Sequence, residues 1–275
     1  MSHWFDIQQM EEGVFMLLEP GHVQSYLVLG NDRAALIDTG MGFTDIRQAV
    51  ASVTGLPVMV LNTHWHFDHI GGNCLFSDIR IAACESELLV QPVTSGYLRK
   101  VYADPCRMSG VPLPADFDAD AWEINSPPPT ASLTDGDTID LGGRLLHVME
   151  TPGHTRGSLS FWDERTAALF CGDFIYNGTL YAHFTDSDLA AYRASLNILE
   201  SMDIRKIFTC HNEPELPSRF IGNCLDAVTA VLEGTAKGRQ VDDWGAPAVR
   251  YDFGSLAVLA KCQDSPGIDL LACMA

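Results

Sequence analysis

His64, His66, Asp68 and His69 fall within one short segment, Leu61-Asn62-Thr63-His64-Trp65-His66-Phe67-Asp68-His69-Ile70-Gly71-Gly72, directly after an apolar run. Imidazole and carboxylate are the side chains that bind zinc, and also iron or manganese. Alternate positions project the same way only from extended backbone, so one regular helix cannot aim all four at a point. The segment therefore reads as a loop leaving a strand and delivering a metal site, with enough donors for two ions. The whole chain has 9 His, and three of them stand here. Such clustering argues against a polar loop that is rich in histidine by accident.

Three later segments repeat the arrangement. Thr151-Pro152-Gly153-His154-Thr155 follows the apolar stretch Leu145-Leu146-His147-Val148-Met149. Ala168-Leu169-Phe170-Cys171-Gly172-Asp173 is a short apolar strand ending in a carboxylate, and Lys206-Ile207-Phe208-Thr209-Cys210-His211 ends in a histidine. Ligand-type residues at successive strand ends are how layered α/β folds assemble a site along one sheet edge.

The elements that must carry these residues can be read from pattern. Val14–Leu18, Ser25–Leu29 and Ala34–Ile37 read as strands separated by Gly and Asn-Asp turns. Thr44 to Val53 reads as a helix capped by Thr44. Val58–Leu61 is the buried strand that delivers the histidine loop, followed by a strand at Ile79–Ala83 and a helix at Glu85–Val90. A second set of strands is predicted at 138–141, 144–149, 158–162 and 168–171. A helix follows over Asp188 to Ser201, with Leu189, Tyr192, Leu196 and Leu199 on one face. Residues 216–275 read as a helix at Ser218–Leu232, then strands near 249–253 and 256–260, packed as an extension of a single domain covering 1–275. Between residues 91 and 130 the periodicity breaks into a proline-rich insertion with Tyr97, Tyr102, Phe117 and Trp122. It reads either as a lid or as a structural cover for the sheet edge.

Composition bounds the function. Net charge is −19 with 47% hydrophobic residues, which supports a sizeable core and disfavours a nucleic-acid partner, whose phosphates need a basic face. No run approaches the ~20 apolar residues of a membrane span, and the first residues lack a secretory pattern. The 8 cysteines form no C-x-x-C pair and read as reduced thiols in a cytoplasmic protein. An anionic substrate would need a local basic patch, for which Arg99, Lys100, Arg107, Arg156 and Arg193 are candidates.

The ordered motifs H-x-H-x-D-H, T-P-G-H-T, G-D and a strand-terminal His, preceded by Ile37-Asp38-Thr39-Gly40, resemble the metallo-β-lactamase superfamily over residues 14 to 215. The stretches Leu133-Thr134-Asp135-Gly136-Asp137 and Gly172-Asp173-Phe174-Ile175-Tyr176-Asn177-Gly178-Thr179-Leu180 look most like its acyl-CoA thioesterase-type, glyoxalase II-like branch. The resemblance implies a four-layer αββα sandwich with two zinc ions, iron or manganese being possible in their place. It implies that His64, His66 and His154 hold one metal, that Asp68, His69 and His211 hold the other, and that Asp173 bridges them. It also implies a shared hydroxide that attacks the carbonyl of a small acyl-CoA-like thioester, with Asp68 orienting it or accepting its proton. Asp38 fits either a carboxylate that fixes a ligand histidine or simply the turn residue of Asp-Thr-Gly. Tyr176, Tyr181 and His183 are candidates to line the substrate pocket or donate to the oxyanion, beside purely structural roles. Gly71 and Gly72 read as permitting close backbone approach.

Alternatives divide by class. A lactonase or other ester hydrolase would use the same nucleophile. Zinc β-lactamases place Cys or another residue where Asp173 stands. Glyoxalase II proper has a basic glutathione-contacting pattern that the stretch after Asp173 lacks. The iron-dependent persulfide dioxygenases carry an arginine- and cysteine-containing stretch after G-D that is missing here. Flavodiiron proteins have Glu where His66 stands. A metal-stabilised binding module would more often have lost ligands. The sequence does not speak to oligomeric state.

Overall fold

The computed structural model describes residues 4–96, 113–115, 117–262 and 265–275. Its architecture is α/β, in two compact units: residues 1–133, 138–146 and 271–275 in the first, and 134–137 and 147–270 in the second.

The first unit is built on a seven-stranded sheet in sequential order: β1 (Asp6–Glu11), β2 (Val14–Leu18), β3 (Gln24–Leu29), β4 (Ala34–Ile37), β5 (Val58–Leu61), β6 (Ile79–Ala82) and β7 (Ala131–Leu133). β1 to β4 pair antiparallel, while β4 to β7 run parallel. β4 (AALI) is buried along its whole length, and β5 (VMVL) in all but its first residue. That is the continuous apolar signature of a strand covered on both faces. Helix α1 (Ile46–Val53) makes the crossover from β4 to β5. It starts two residues later than Thr44 suggests, because the Asp45 carboxylate accepts from Arg47 N at 2.9 Å and is the cap. Parallel pairing sets Ile37 beside Leu61, so Asp38 and Asn62-Thr63 leave adjacent strands at the same sheet edge. The histidine loop then closes in a single helical turn, α2 (Phe67–Ile70), with His66 at its start. A further short helix, α3 (Ser86–Leu89), is the core of the one expected at 85–90.

In the second unit β11 (Ala168–Phe170) lies parallel to β13 (Lys206–Phe208), with Phe170 beside Phe208. Asp173 and His211 thus leave neighbouring strands at one edge, as Asp38 and Thr63 do in the first unit. The sheet order is β14 (Glu215–Pro217), β13, β11, β10 (Leu159–Asp163), β9 (Leu145–Glu150), β8 (Thr138–Asp140); residues 138–146 group with the first unit. Helix α4 (Leu189–Glu200) is capped by Asp188, whose Oδ1 accepts from Ala190 N and Ala191 N at 2.7 and 3.0 Å. Its Tyr192, Leu196 and Leu199 pack with Ile221, Cys224 and Val228 of α5 (Phe220–Leu232) in one buried cluster.

Residues 216–275 do more than extend the chain. β15 (Arg239–Asp243), β16 (Ala246–Phe253) and β17 (Leu256–Lys261) form a sheet with β12 (Thr179–Ala182), in which β17 pairs parallel to β12. β15 has a polar edge-strand sequence, RQVDD, with no apolar alternation to announce it. The chain closes on a short helix, α6 (Leu270–Met274); in the first unit Met274 O accepts from Thr94 N at 2.9 Å. Of the 91–130 insertion, residues 97–112 and 116 lie outside the described residues, and with them Tyr97, Arg99, Lys100, Tyr102 and Arg107. Its flanks are tied down: Val93 bridges to Ile124, and Trp122 Nε1 donates to Met41 O at 3.1 Å. No described helix is long and apolar enough to cross a membrane.

One buried acid organises the loop after β4. Glu19 is fully buried; its Oε2 accepts from Met41 N at 2.5 Å and its Oε1 from Trp4 Nε1 at 3.0 Å. Gly40 is required there: at φ 72° it favours glycine, and a Cβ would stand 2.4 Å from Glu19 Oε2. Burial pushes the Glu19 carboxyl up from 4.5 to about 7, against the pull of Met41 N–H, the Trp4 indole and Phe43 N–H. Between those two values the folded protein holds a proton that the unfolded chain has lost. Glu19 therefore makes stability fall as pH rises from 4.5 through 7, by on the order of 3 kcal/mol. Urea melts across pH 4.5–8 should show this loss in the wild type and a flatter profile in Glu19→Gln. Identical slopes in the two proteins would contradict the assignment.

Candidate metal centre

In the first unit the donors stand on either side of one carboxylate. Asp38, buried and at φ 60°, accepts from Thr63 N at 2.8 Å (Oδ1) and from Thr63 Oγ1 at 2.7 Å (Oδ2). Its Oδ2 also lies 2.8 Å from His69 Nδ1. The Thr63 hydroxyl has given its proton to Asp38, so at 3.0 Å from His64 Nδ1 it must accept. Both histidines therefore carry their proton on Nδ1 and turn the Nε2 lone pair the other way. His64 and His66 each bring a ring nitrogen to within 4.8 Å of the other, and the rings of His64 and His69 are 4.2 Å apart between centroids. Trp65, between the first two, is buried and packs its edge on His66.

The turn that carries Asp68 and His69 is pinned through its backbone. His69 O accepts from Thr39 N at 2.8 Å and from Asn62 Nδ2 at 3.2 Å, and Gly71 N donates to Gly40 O at 2.8 Å. A Cβ at Gly71 would meet Met41 C at 2.3 Å, so this approach needs glycine. Thr39 and Asn62 both engage Asn73, whose Nδ2 also donates to Ser126 Oγ. Asn62 and Asn73 escaped the sequence reading. The available signal was an amide at the mouth of an apolar strand, Leu61-Asn62.

In the second unit Asp173 sits on a single 3-10 turn, Gly172–Phe174. Its two oxygens face different histidines: Oδ1 is 3.2 Å from His211 Nε2, and Oδ2 is 3.5 Å from His154 Nε2. His154 Nδ1 donates to Tyr181 O at 2.7 Å, and Ser187 Oγ donates to His154 O at 2.6 Å. With that proton on Nδ1, the Nε2 lone pair of His154 is aimed at a carboxylate. His69 repeats the conflict in the first unit, its Nε2 standing 3.6 Å from Asp68 Oδ2. An imidazole nitrogen facing a carboxylate in a buried site calls for positive charge between them, carried by a ring proton or by a bound cation. Imidazole and carboxylate donors with their outer nitrogens already engaged fit a divalent cation.

The other candidates are placed as follows. Tyr176 is buried, donates its hydroxyl to Thr179 O, and sets its ring edge against His211. Burial raises its phenol well above the ordinary range. Tyr181 contributes its carbonyl to His154. His183 is buried with Nε2 at 2.8 Å from Asp243 Oδ2. Thr155 and Ser158 bond each other at 2.8 Å and shape the turn around His154. His147 is half-buried on β9, with its Nε2 3.0 Å from Glu164 Oε2. Tyr192, which the sequence offers as one more apolar helix position, donates its hydroxyl to Phe174 O and stacks on the Phe174 ring. It thereby fastens the Asp173 turn. Burial pushes the Cys171 thiol up to about 12 and the Cys210 thiol well above its ordinary value, with Asp173's charge acting in the same direction on both.

A family model described as the metallo-beta-lactamase superfamily matches residues 18–211. The acyl-coenzyme A thioesterase MBLAC2 of Homo sapiens is 29% identical over 69% of this chain and 73% of its own length. A hydroxyacylglutathione hydrolase of Rhodospirillum rubrum is 26% identical over 77% of this chain and 71% of its own. Among solved structures, a metallo-beta-lactamase from Pontibacter korlensis is similar in fold, with a TM-score of 0.58 over 82% of this chain and 99% of its own at 18% identity.

Asp38→Asn replaces one acceptor oxygen with a donor facing N–H and O–H groups, and so releases the Nδ1 proton of His69. Affinity for zinc should drop about 10- to 100-fold, read by competition with a chromophoric chelator. Wild-type affinity in a folded variant would dismiss the orienting role.

Proposed function

The chain belongs to the metallo-beta-lactamase superfamily, with its α/β fold, and is a hydrolase using divalent metal; on that premise we propose that it cleaves a small acyl-CoA-like thioester at a binuclear centre. His64, His66 and His154 would hold one ion and Asp68, His69 and His211 the other, with Asp173 between them. The observation that carries this reading is the split allegiance of Asp173, one oxygen towards His211 and the other towards His154. A carboxylate in that posture is a bridge. The family model matching residues 18–211 covers every one of these residues.

Bound there, two zinc ions would supply Lewis acidity for the scissile carbonyl and an ionised water at neutral pH. The chain's own residues do the rest. Asp38 keeps His64 and His69 in the tautomer that donates through Nε2. Tyr181 O does the same for His154. Asp68, its side chain 15% exposed on the turn that holds His69, would orient the attacking water or take up its proton. No Ser or Cys nucleophile is required.

The thioester is favoured because the relatives above are named for acyl-coenzyme A and hydroxyacylglutathione hydrolysis. The described cysteines form no disulfide among themselves, in keeping with a cytoplasmic setting. Net charge of −19 supports a small-molecule substrate over nucleic acid.

Zinc-reconstituted protein assayed on acyl-CoA, acyl-glutathione, a lactone and a β-lactam should release free thiol from acyl-CoA. Asp68→Ala should lower kcat/KM on it by about 10²- to 10⁴-fold. Lactone opening with silent thioesters would replace the reading with a lactonase. Iron-loaded protein that consumes oxygen and hydrolyses nothing would replace it with a dioxygenase.

A further inference from the structure

Asp173 has a partner that the donor pattern leaves out. Cys210 precedes His211 at the end of β13 and is buried, and its Sγ stands 2.8 Å from Asp173 Oδ1. That is the same oxygen that faces His211 Nε2 at 3.2 Å. Two chemistries could bring a sulfur there: a thiolate sharing a metal with the carboxylate, or a thiol donating a hydrogen bond to it. Their geometries differ. A tetrahedral zinc with Zn–S of ~2.3 Å and Zn–O of ~2.0 Å separates the two ligand atoms by roughly 3.5 Å. The observed separation is well inside that, closer than two ligands of one tetrahedral ion stand, which favours a thiol donating to the carboxylate over a shared ion. The neighbouring thiol behaves alike: Cys171 Sγ donates to Ile175 O at 3.4 Å.

We infer that Cys210 is a positioning residue, whose S–H holds Asp173 Oδ1 on the His211 side and so leaves Oδ2 towards His154. The inference rests on the reading of Asp173 and His211 as metal donors. A hydrogen bond to the outer lone pair of a bridging carboxylate fixes its plane and draws charge from the oxygen that meets the metal. The backbone around the thiol is itself held, since Thr209 Oγ1 donates to His211 O at 3.0 Å. Serine can stand in for the thiol. Its oxygen lies roughly 0.4 Å further back, and a shift of a few tenths restores an O–H···O bond. Alanine cannot.

The test titrates metal-free wild type, Cys210→Ala and Cys210→Ser with cobalt(II), following the visible d–d bands and the near-ultraviolet. Melts of the metal-free proteins serve as the folding control. Wild type should bind two equivalents with no thiolate-to-cobalt charge-transfer band. The weaker equivalent should bind about 10-fold or more less tightly in Cys210→Ala, and within about threefold of wild type in Cys210→Ser. If Cys210→Ala does not fold, Cys210→Val, which fills the space without a donor, carries the same expectation. A strong near-ultraviolet band in wild type that vanishes on substitution would make Cys210 a ligand and overturn the inference. So would a folded alanine or valine variant that binds both equivalents as wild type does. Wild type that takes up no cobalt removes the metal reading itself, and this inference with it.

Discussion

The Asp38 carboxylate is the interaction on which the first unit's chemistry depends. It collects three donors: Thr63 N, Thr63 Oγ1 and His69 Nδ1. Hydrogen bonds to a charged group contribute about 1.5–3 kcal/mol each, and burial makes their loss still more expensive. That sum outweighs the left-handed backbone at Asp38, a conformation costing about 1–3 kcal/mol for a residue with a side chain. The result is a choice of protonation state. Through His69 directly, and through the Thr63 hydroxyl for His64, one carboxylate decides which nitrogen of two imidazoles can bind a cation.

Asp38 can do this because of sheet topology. Parallel pairing of β4 with β5 brings the two chain exits to one edge. The loop behind it is braced from the opposite side by Glu19 on Met41 N and by the glycine contact between Gly71 and Met41. A parallel strand needs a crossover, and the crossover here is α1, which returns the chain so that both exits share an edge. The site is thus a consequence of strand direction before it is a consequence of any single histidine.

The second unit solves the same problem with other parts. β11 and β13 are again parallel neighbours, and they deliver Asp173 and His211. Tyr192 locks the Asp173 turn from helix α4, and Tyr181 O sets the tautomer of His154. Both units set an imidazole Nε2 facing a carboxylate oxygen, His69 towards Asp68 and His154 towards Asp173. Each unit fixes its candidate donors through hydrogen bonds from neighbouring side chains and backbone, as a site preorganised for a cation requires.

The candidate donors could be nominated from the sequence, because ligand types at the ends of short apolar strands leave a spacing that local pattern preserves. Strands β2 to β6, β8 to β11, β13, β16 and β17, α4 with its buried face, and the need for glycine at 71 could be read for the same reason: each follows from a period or a steric limit within a few residues. The polar strand β15 and the Asp45 cap were not legible, since a solvated edge strand shows no alternation and two adjacent capping residues compete on side-chain reach. Nor could spacing reveal that Asn62, Asn73, Tyr192 and Cys210 support the donors, because their contacts join residues 7 to 53 positions apart. The sequence by itself determined which side chains could bind metal and which strands would present them. Only the tertiary structure decided which nitrogen of each imidazole faces inward, which oxygen of Asp173 meets which histidine, and what holds them there, because hydrogen-bond direction depends on neighbours that folding brings together.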